Sequence, residues 1–148
     1  MARNIHYKSY FKNFKSKFED WEKEGVTESA MYMQNKLKEK LSQHGSGRKY
    51  KRGNKIHVAS RKGEPPAVDR GGLRRSIKRD IYKSPVGWAA KVGSDLIYGL
   101  ALERGFIMKL KKGMRRVGKR PWLQPTFIEN EGAVEQLMAE PFIKGSQS

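Results

Sequence analysis

The chain contains no cysteine, which excludes a disulfide framework, a thiolate metal site and a cysteine nucleophile together. Long apolar runs are missing as well. None approaches the ~20 residues that a bilayer span requires, and the basic start MARNIHYKSYF lacks an apolar stretch of signal-peptide length. A cytoplasmic product with no membrane partner is expected. His6, His44 and His57 show no zinc or triad spacing, and His57 falls in a strand candidate, where a half-exposed structural role is the simpler reading. No G-x-S-x-G, P-loop or G-x-G-x-x-G occurs. Gly45-Ser46-Gly47-Arg48 lacks both the spacing and the Lys-Ser/Thr ending of a phosphate cradle. The expectation is a protein with no catalytic, metal or cofactor site.

Acid is the other shortage. Against 32 Lys+Arg stand 15 Asp+Glu, a formal charge of +17 on 148 residues. Such a chain attracts polyanions, nucleic acid first among them, and repels copies of itself. The length fits one domain, but 36% hydrophobic and 32% charged residues make a lean core.

The pattern that is present divides the chain into helical ends and a strand-rich middle. Tyr7, Phe11, Phe14, Phe18 and Trp21 recur at helical spacing, which predicts an amphipathic helix whose stripe is core, or in part a contact with another subunit. Gly25 is expected to end it. Thr27 would cap a second helix with Ala30, Met33, Leu37 and Leu41 inward, so residues 1–44 read as a helical pair, packed as a hairpin or as one bent rod. Glu19, Asp20, Glu22 and Glu24 oppose the first helix's dipole and read as a solvated or salt-bridging face. Residues 45–62 hold seven Lys/Arg and no acid; with one strand candidate, residues 56–59, they read as a flexible basic loop or a hairpin, and the loop is extended to residue 68.

The stretch GEPPAVDRGGLRRSI follows. Pro65 and Pro66 stiffen the approach, Asp69 is expected to cap a short helix, and Val68 and Leu73 stand at staple spacing. Leu73 and Ile77 would share its inward face, while Arg70, Arg74 and Arg75 stay in solvent or meet an anionic partner. Gly71 and Gly72 cost a first turn roughly 1 kcal/mol each, which suggests a close approach by other backbone or by a neighbouring subunit. Residues 78–83 and 88–93 form a strand pair around Ser84-Pro85-Val86-Gly87. Residues 96–104 form a helix or turn ending at Gly105, and residues 106–117 a second hairpin. Pro121 and Pro125 precede a last helix, which Pro141 is expected to stop. The fold class is α+β: one domain with an N-terminal helical pair, a small antiparallel sheet of about four strands in residues 69–148 with a long basic loop before it, and a C-terminal helix.

Two basic arms carry the candidate contacts. Arg48, Lys49, Lys51, Arg52 and Lys55 lie in the first, and Lys109, Lys111, Lys112, Arg115 and Arg116 in the second, where residues 104–120 contain no acid. These cations can neutralise phosphates, although aromatics are too sparse for a stacking platform. Solvated loops, or arms that meet acidic protein surfaces, fit the same composition. Glu129, Glu131, Glu135 and Glu140 reverse the sign near the C-terminus, which permits head-to-tail contact between copies.

Three stretches, PPAVDRGGLRRSI, VGSDLIYGLALERG and KRPWLQPTF, occur in that order. Together they resemble the tail-completion and head-tail joining proteins of tailed bacteriophages, the neck or minor tail components of lambda-like siphophages. The matching positions are Asp69, Gly71, Leu73, Ser76 and Ile77; Val92, Gly93 and Ser94; Tyr98, Glu103 and Gly105; and Arg120, Pro121, Trp122, Leu123 and Pro125. Gly99, Leu102 and Phe106 depart from the pattern, Gly99 standing where alanine is common. The resemblance implies a non-enzymatic virion protein made in the host bacterial cytoplasm. It implies a homo-oligomeric ring, often six-fold, formed from a monomer between the head-closure or connector protein and the tail terminator or tail-tube protein, with loops facing adjacent rings or DNA in the channel. On that resemblance Asp69, Gly71, Leu73, Tyr98, Glu103, Gly105, Arg120, Pro121 and Trp122 belong to the fold or to the ring interface. The alternative reading is a nucleic-acid-binding module that clamps the phosphate backbone with both arms.

Overall fold

A computed structural model describes the backbone of residues 2–148 and the side chains of residues 12–148. Among the described residues the order is α1 (Ala2–Lys40), β1 (Lys49–Arg52), β2 (Lys55–Val58), α2 (Gly72–Arg75), β3 (Ile77–Ser84), β4 (Gly87–Ser94), α3 (Ile97–Arg104), β5 (Phe106–Leu110), β6 (Gly113–Val117) and α4 (Leu123–Ser146). The class is α+β. Each strand pairs only with its sequence neighbour, giving three two-stranded sheets where one sheet of about four strands was expected. Short connections explain the difference: turns of two residues close each hairpin locally, and no strand is left to bridge one pair to the next.

By its contacts the chain forms two compact units, one from Met1–Tyr32, Arg79–Lys91 and Glu131–Ser148, the other from Met33–Lys78 and Val92–Asn130. In the first unit Phe142 of α4 meets two aromatics of α1, with ring centroids 5.0 Å from Phe18 and 6.1 Å from Trp21. Phe14 and Phe18 nevertheless stay exposed, so this part of the aromatic stripe is not closed core; Tyr7 and Phe11 lie outside the described side chains. Lys83 of β3 bonds Glu19 at 2.8 Å, and the Lys23 ammonium sits 4.7 Å from the centre of the Trp88 ring. The acidic end of the first helical segment is thus partly a salt-bridging face.

Gly25 does not end a helix. α1 runs through it, because the glycine serves a close approach: a Cβ there would stand 2.7 Å from the Met138 carbonyl oxygen of α4. Thr27 is likewise no cap, since its hydroxyl donates back to the Lys23 carbonyl at 2.6 Å, the bond by which a threonine is accommodated inside a helix. The expected helical pair is therefore one continuous helix. Pro141 also lies inside α4 rather than after it. Proline lacks an N–H and usually kinks or breaks a helix, yet here it is buried, one residue before the Phe142 ring that packs on α1.

The second unit holds the main core. Leu37 from α1, Leu41 just after it, Leu73, Ile77 and Trp122 are buried together, with Val92, Leu102 and Leu123 packed against them. Each such side chain contributes about 1.5–3 kcal/mol on burial. Gln34 reaches into the same unit and donates to the Ile77 carbonyl at 2.9 Å, which satisfies a buried acceptor at the start of β3. Here α2 is shorter than expected, four residues, and Ile77 belongs to β3. Asp69 is not its cap. Gly71 takes that place with φ 71° and no side-chain capping bond, a left-handed geometry that glycine adopts without steric cost. Residues 45–62 contain the β1–β2 hairpin, with Lys49 opposite Val58 and Arg52 opposite Lys55, so the basic segment is a paired ribbon rather than an unstructured loop.

Two helix glycines separate packing from propensity. Gly25→Ala is expected to lower unfolding free energy by about 1–3 kcal/mol, because overpacking against backbone outweighs the gain in helix propensity. Gly132→Ala in α4, where nothing lies within 4 Å of an added Cβ, is expected to raise it by up to about 1 kcal/mol. Urea denaturation of both variants measures the contrast, and equal stabilisation by both would refute the close approach.

Candidate interaction surface

The positions shared with the resemblance interlock in the second unit. Glu103, in the last turn of α3, accepts three amides at the start of α4: Oε2 receives Trp122 N–H at 2.6 Å and Leu123 N–H at 2.9 Å, and Oε1 receives Gln124 N–H at 3.0 Å. A carboxylate at that end also opposes the positive pole of the helix dipole. Sequence reasoning missed this role. The available signal was a helix start, Arg120-Pro121-Trp122, with no Ser, Thr, Asp or Asn to cap it.

Trp122 is buried and its indole N–H donates to the Gly99 carbonyl at 3.1 Å. An added Cβ at Gly99 would stand 2.8 Å from Leu73 Cδ1, so glycine at this departure from the pattern makes room for Leu73. Ser76 and Ser94 join their hydroxyls at 2.6 Å, and Ser94 also receives the Leu96 amide. Gly105 has φ 76°, and a Cβ there would stand 2.9 Å from the Val117 carbonyl oxygen. Arg120 donates its backbone N–H to Leu102 and a guanidinium N–H to the Ser60 carbonyl at 3.2 Å, while Pro121 is half-buried and Tyr98 is exposed. Leu73, Glu103, Gly105, Arg120 and Trp122 thus take part in the packing or hydrogen bonding of this unit.

Asp69 has a different task from the one its sequence position suggests. Its carboxylate pairs with Arg52 of β1 at 2.7 Å and stands 3.8 Å from His57 of β2. The Tyr50 ring meets His57 at 5.0 Å, and the Arg52 guanidinium lies 5.6 Å from the centre of that Tyr50 ring. One face of the β1–β2 ribbon is therefore tied to the chain before α2. The alternate positions Lys49 and Lys51 share the other face with Ile56 and Val58. At the base of the ribbon, Glu64 accepts bonds from the Ser46 hydroxyl and from the amides of Arg61 and Ser46. The Ser46 hydroxyl bond, then the Arg61 amide, holds its carboxyl below the ordinary glutamate value of 4.5.

The second arm is paired along its whole length, from Phe106 opposite Val117 to Leu110 opposite Gly113. Phe106, Met108 and Leu110 share one face with Arg115, and Ile107 and Lys109 share the other with Met114 and Arg116. Both faces of β5 are exposed; Ile107 is 66% and Met114 75% accessible. A lone two-stranded ribbon is marginally stable in water, so this one gains from any surface that covers its apolar side chains. All ten predicted arm residues, Arg48 through Lys55 and Lys109 through Arg116, are exposed, and the structure divides them five to each hairpin.

No family model matches the chain, and no curated protein or solved structure matches it significantly.

Glu103→Ala is expected to cost about 2–3 kcal/mol, since three helix-start amides lose a charged acceptor, and Glu103→Gln to cost less; chemical denaturation checks both. A second expectation concerns pH. Because the folded state holds Glu64 ionised more strongly than the unfolded chain does, its contribution is present above pH 4.5 and is lost as pH falls through its lower folded value. Hydrogen exchange at the Ser46 and Arg61 amides should accelerate relative to core amides on acidification, and Glu64→Gln should remove that pH response.

Proposed function

We propose that this chain is a structural protein of a tailed-bacteriophage virion that forms a ring at the head-tail junction, completing the tail and joining it to the head connector. The observation that carries the reading is the interlocking of the three resembling stretches: Ser76 with Ser94, Trp122 with Gly99, and Glu103 with the start of α4.

The β5–β6 hairpin supports an assembly role. Its exposed apolar side chains stand beside basic ones on a ribbon with both faces of β5 exposed, as expected of an arm that docks on a neighbouring subunit or an adjacent ring. The formal charge of +17 opposes premature self-association and favours assembly only where an acidic partner neutralises the arms. A monomer that becomes part of a ring on docking follows from this balance.

A second reading is a nucleic-acid-binding module, favoured by the ten exposed cations of the two hairpins. It requires duplex binding that weakens linearly in log affinity with log salt concentration. Negligible duplex binding near physiological salt would remove it.

The junction role is tested by replacing residues 107–116 with a short glycine linker in the phage genome that encodes the chain. Filled heads and free tails are expected to accumulate unjoined in electron micrographs, while the purified variant stays a folded monomer by light scattering and circular dichroism. Normal joined particles from the variant, or stable filaments of the purified wild-type chain, would overturn it.

A further inference from the structure

Arginines 70, 74 and 75 lie on neither arm. They line a groove of about 500 Å³ with Leu41, residues 66–73, Tyr98 and Leu102. Gly71 is its pivot, because the missing side chain leaves space that two guanidiniums flank: a Cβ there would stand 3.2 Å from Arg75 Nη1 and 3.7 Å from Arg74 Nη2. Both groups are held in place. Arg74 Nη1 donates to the Ser42 hydroxyl at 3.1 Å, and Arg75 Nη1 donates to the Arg70 carbonyl at 2.7 Å.

Among the described residues none of these three arginines pairs with a carboxylate within 4.0 Å. Asp69, the one acid lining the groove, is already engaged by Arg52. Like charges gathered without a counter-charge repel one another, and an oxyanion between them relieves that repulsion. Planar guanidiniums with fixed orientation match the tetrahedral oxygens of phosphate through paired N–H donors. The leucines of the groove wall lower the local dielectric and strengthen such bonds.

We propose that this groove binds a phosphate group of a nucleic-acid backbone, with Arg74 and Arg75 as its ligands and Arg70 at the same wall. Nucleic acid is favoured over an acidic protein segment by continuity. The Arg52–Asp69 ion pair ties one face of the β1–β2 ribbon to the groove, so the exposed Lys55, cross-strand partner of Arg52, and Arg48, at the same strand parity, extend the groove's positive charge along that face, while Lys49 and Lys51 stand on the other. A strand of phosphates can follow that track and end in the groove. The site is independent of the proposed place in a virion.

The test uses the full chain labelled at its arginine side chains. Titration with inorganic phosphate, then with a short DNA duplex, is expected to shift the Arg74 and Arg75 Nε–H signals saturably in both series. In Arg74→Gln/Arg75→Gln the duplex affinity should fall about tenfold and the salt slope of binding by about 1. Arg74→Lys/Arg75→Lys should keep most of the slope but lose saturable binding of inorganic phosphate. Circular dichroism confirms that the variants are folded; if they are not, the wild-type titrations decide alone. Shifts spread evenly over all arginines, phosphate shifts that the duplex does not reproduce, unchanged duplex binding by the glutamine variant, or tighter occupation by poly-glutamate than by the duplex would each overturn the proposal.

Discussion

One carboxylate fixes the geometry on which the second unit depends. Glu103 gathers the Trp122, Leu123 and Gln124 amides, and so joins the end of α3 to the start of α4. Trp122 is then placed to fill the core beside Leu37, Leu41, Leu73 and Ile77. Its indole N–H closes back on Gly99 in α3, so helix start, ring and α3 backbone form one cycle of bonds. A helix whose first residues carry no capping side chain needs such an acceptor from elsewhere, since three or four of its amides otherwise go unpaired.

Glycine supplies the complementary constraint, space rather than attraction. Gly99 admits Leu73, Gly25 admits the Met138 backbone and Gly105 admits the Val117 carbonyl. In each case a Cβ would fall under 3.0 Å from its neighbour, too close for any ordinary contact. Gly71 makes space of a different kind, left open and bordered by guanidiniums. A lean, highly charged chain thereby concentrates its close packing at a few points and leaves the β5–β6 hairpin largely exposed.

Much of the local structure was legible. The β3–β4 hairpin, the end of α3 at Gly105, the β5–β6 hairpin and the α+β class all follow from turn residues and periodicity, which act over a few neighbours, while the choice of helix over turn for α3 did not. The ten arm cations are exposed, as a run of like charges requires. Elsewhere local signals pointed the wrong way. Gly25 and Thr27 read as a break and a cap, but tertiary packing against α4 used the first and a backward hydroxyl bond absorbed the second. Asp69 had the spacing of a cap and instead took Arg52 and His57 from a ribbon distant in sequence, because a nearby guanidinium offers a carboxylate a stronger partner than neutral amides.

Composition and pattern by themselves determined the strongly positive charge, the lack of thiols and the hairpins, since these depend on residue type and on neighbours one to four positions away. Only the tertiary structure decided which residues meet: that Glu103 caps α4, that Gly25 lies in a continuous helix, and that the Arg74 and Arg75 guanidiniums flank Gly71. Such pairings are set by which surfaces bury together, and their energies depend on distances that sequence spacing does not encode.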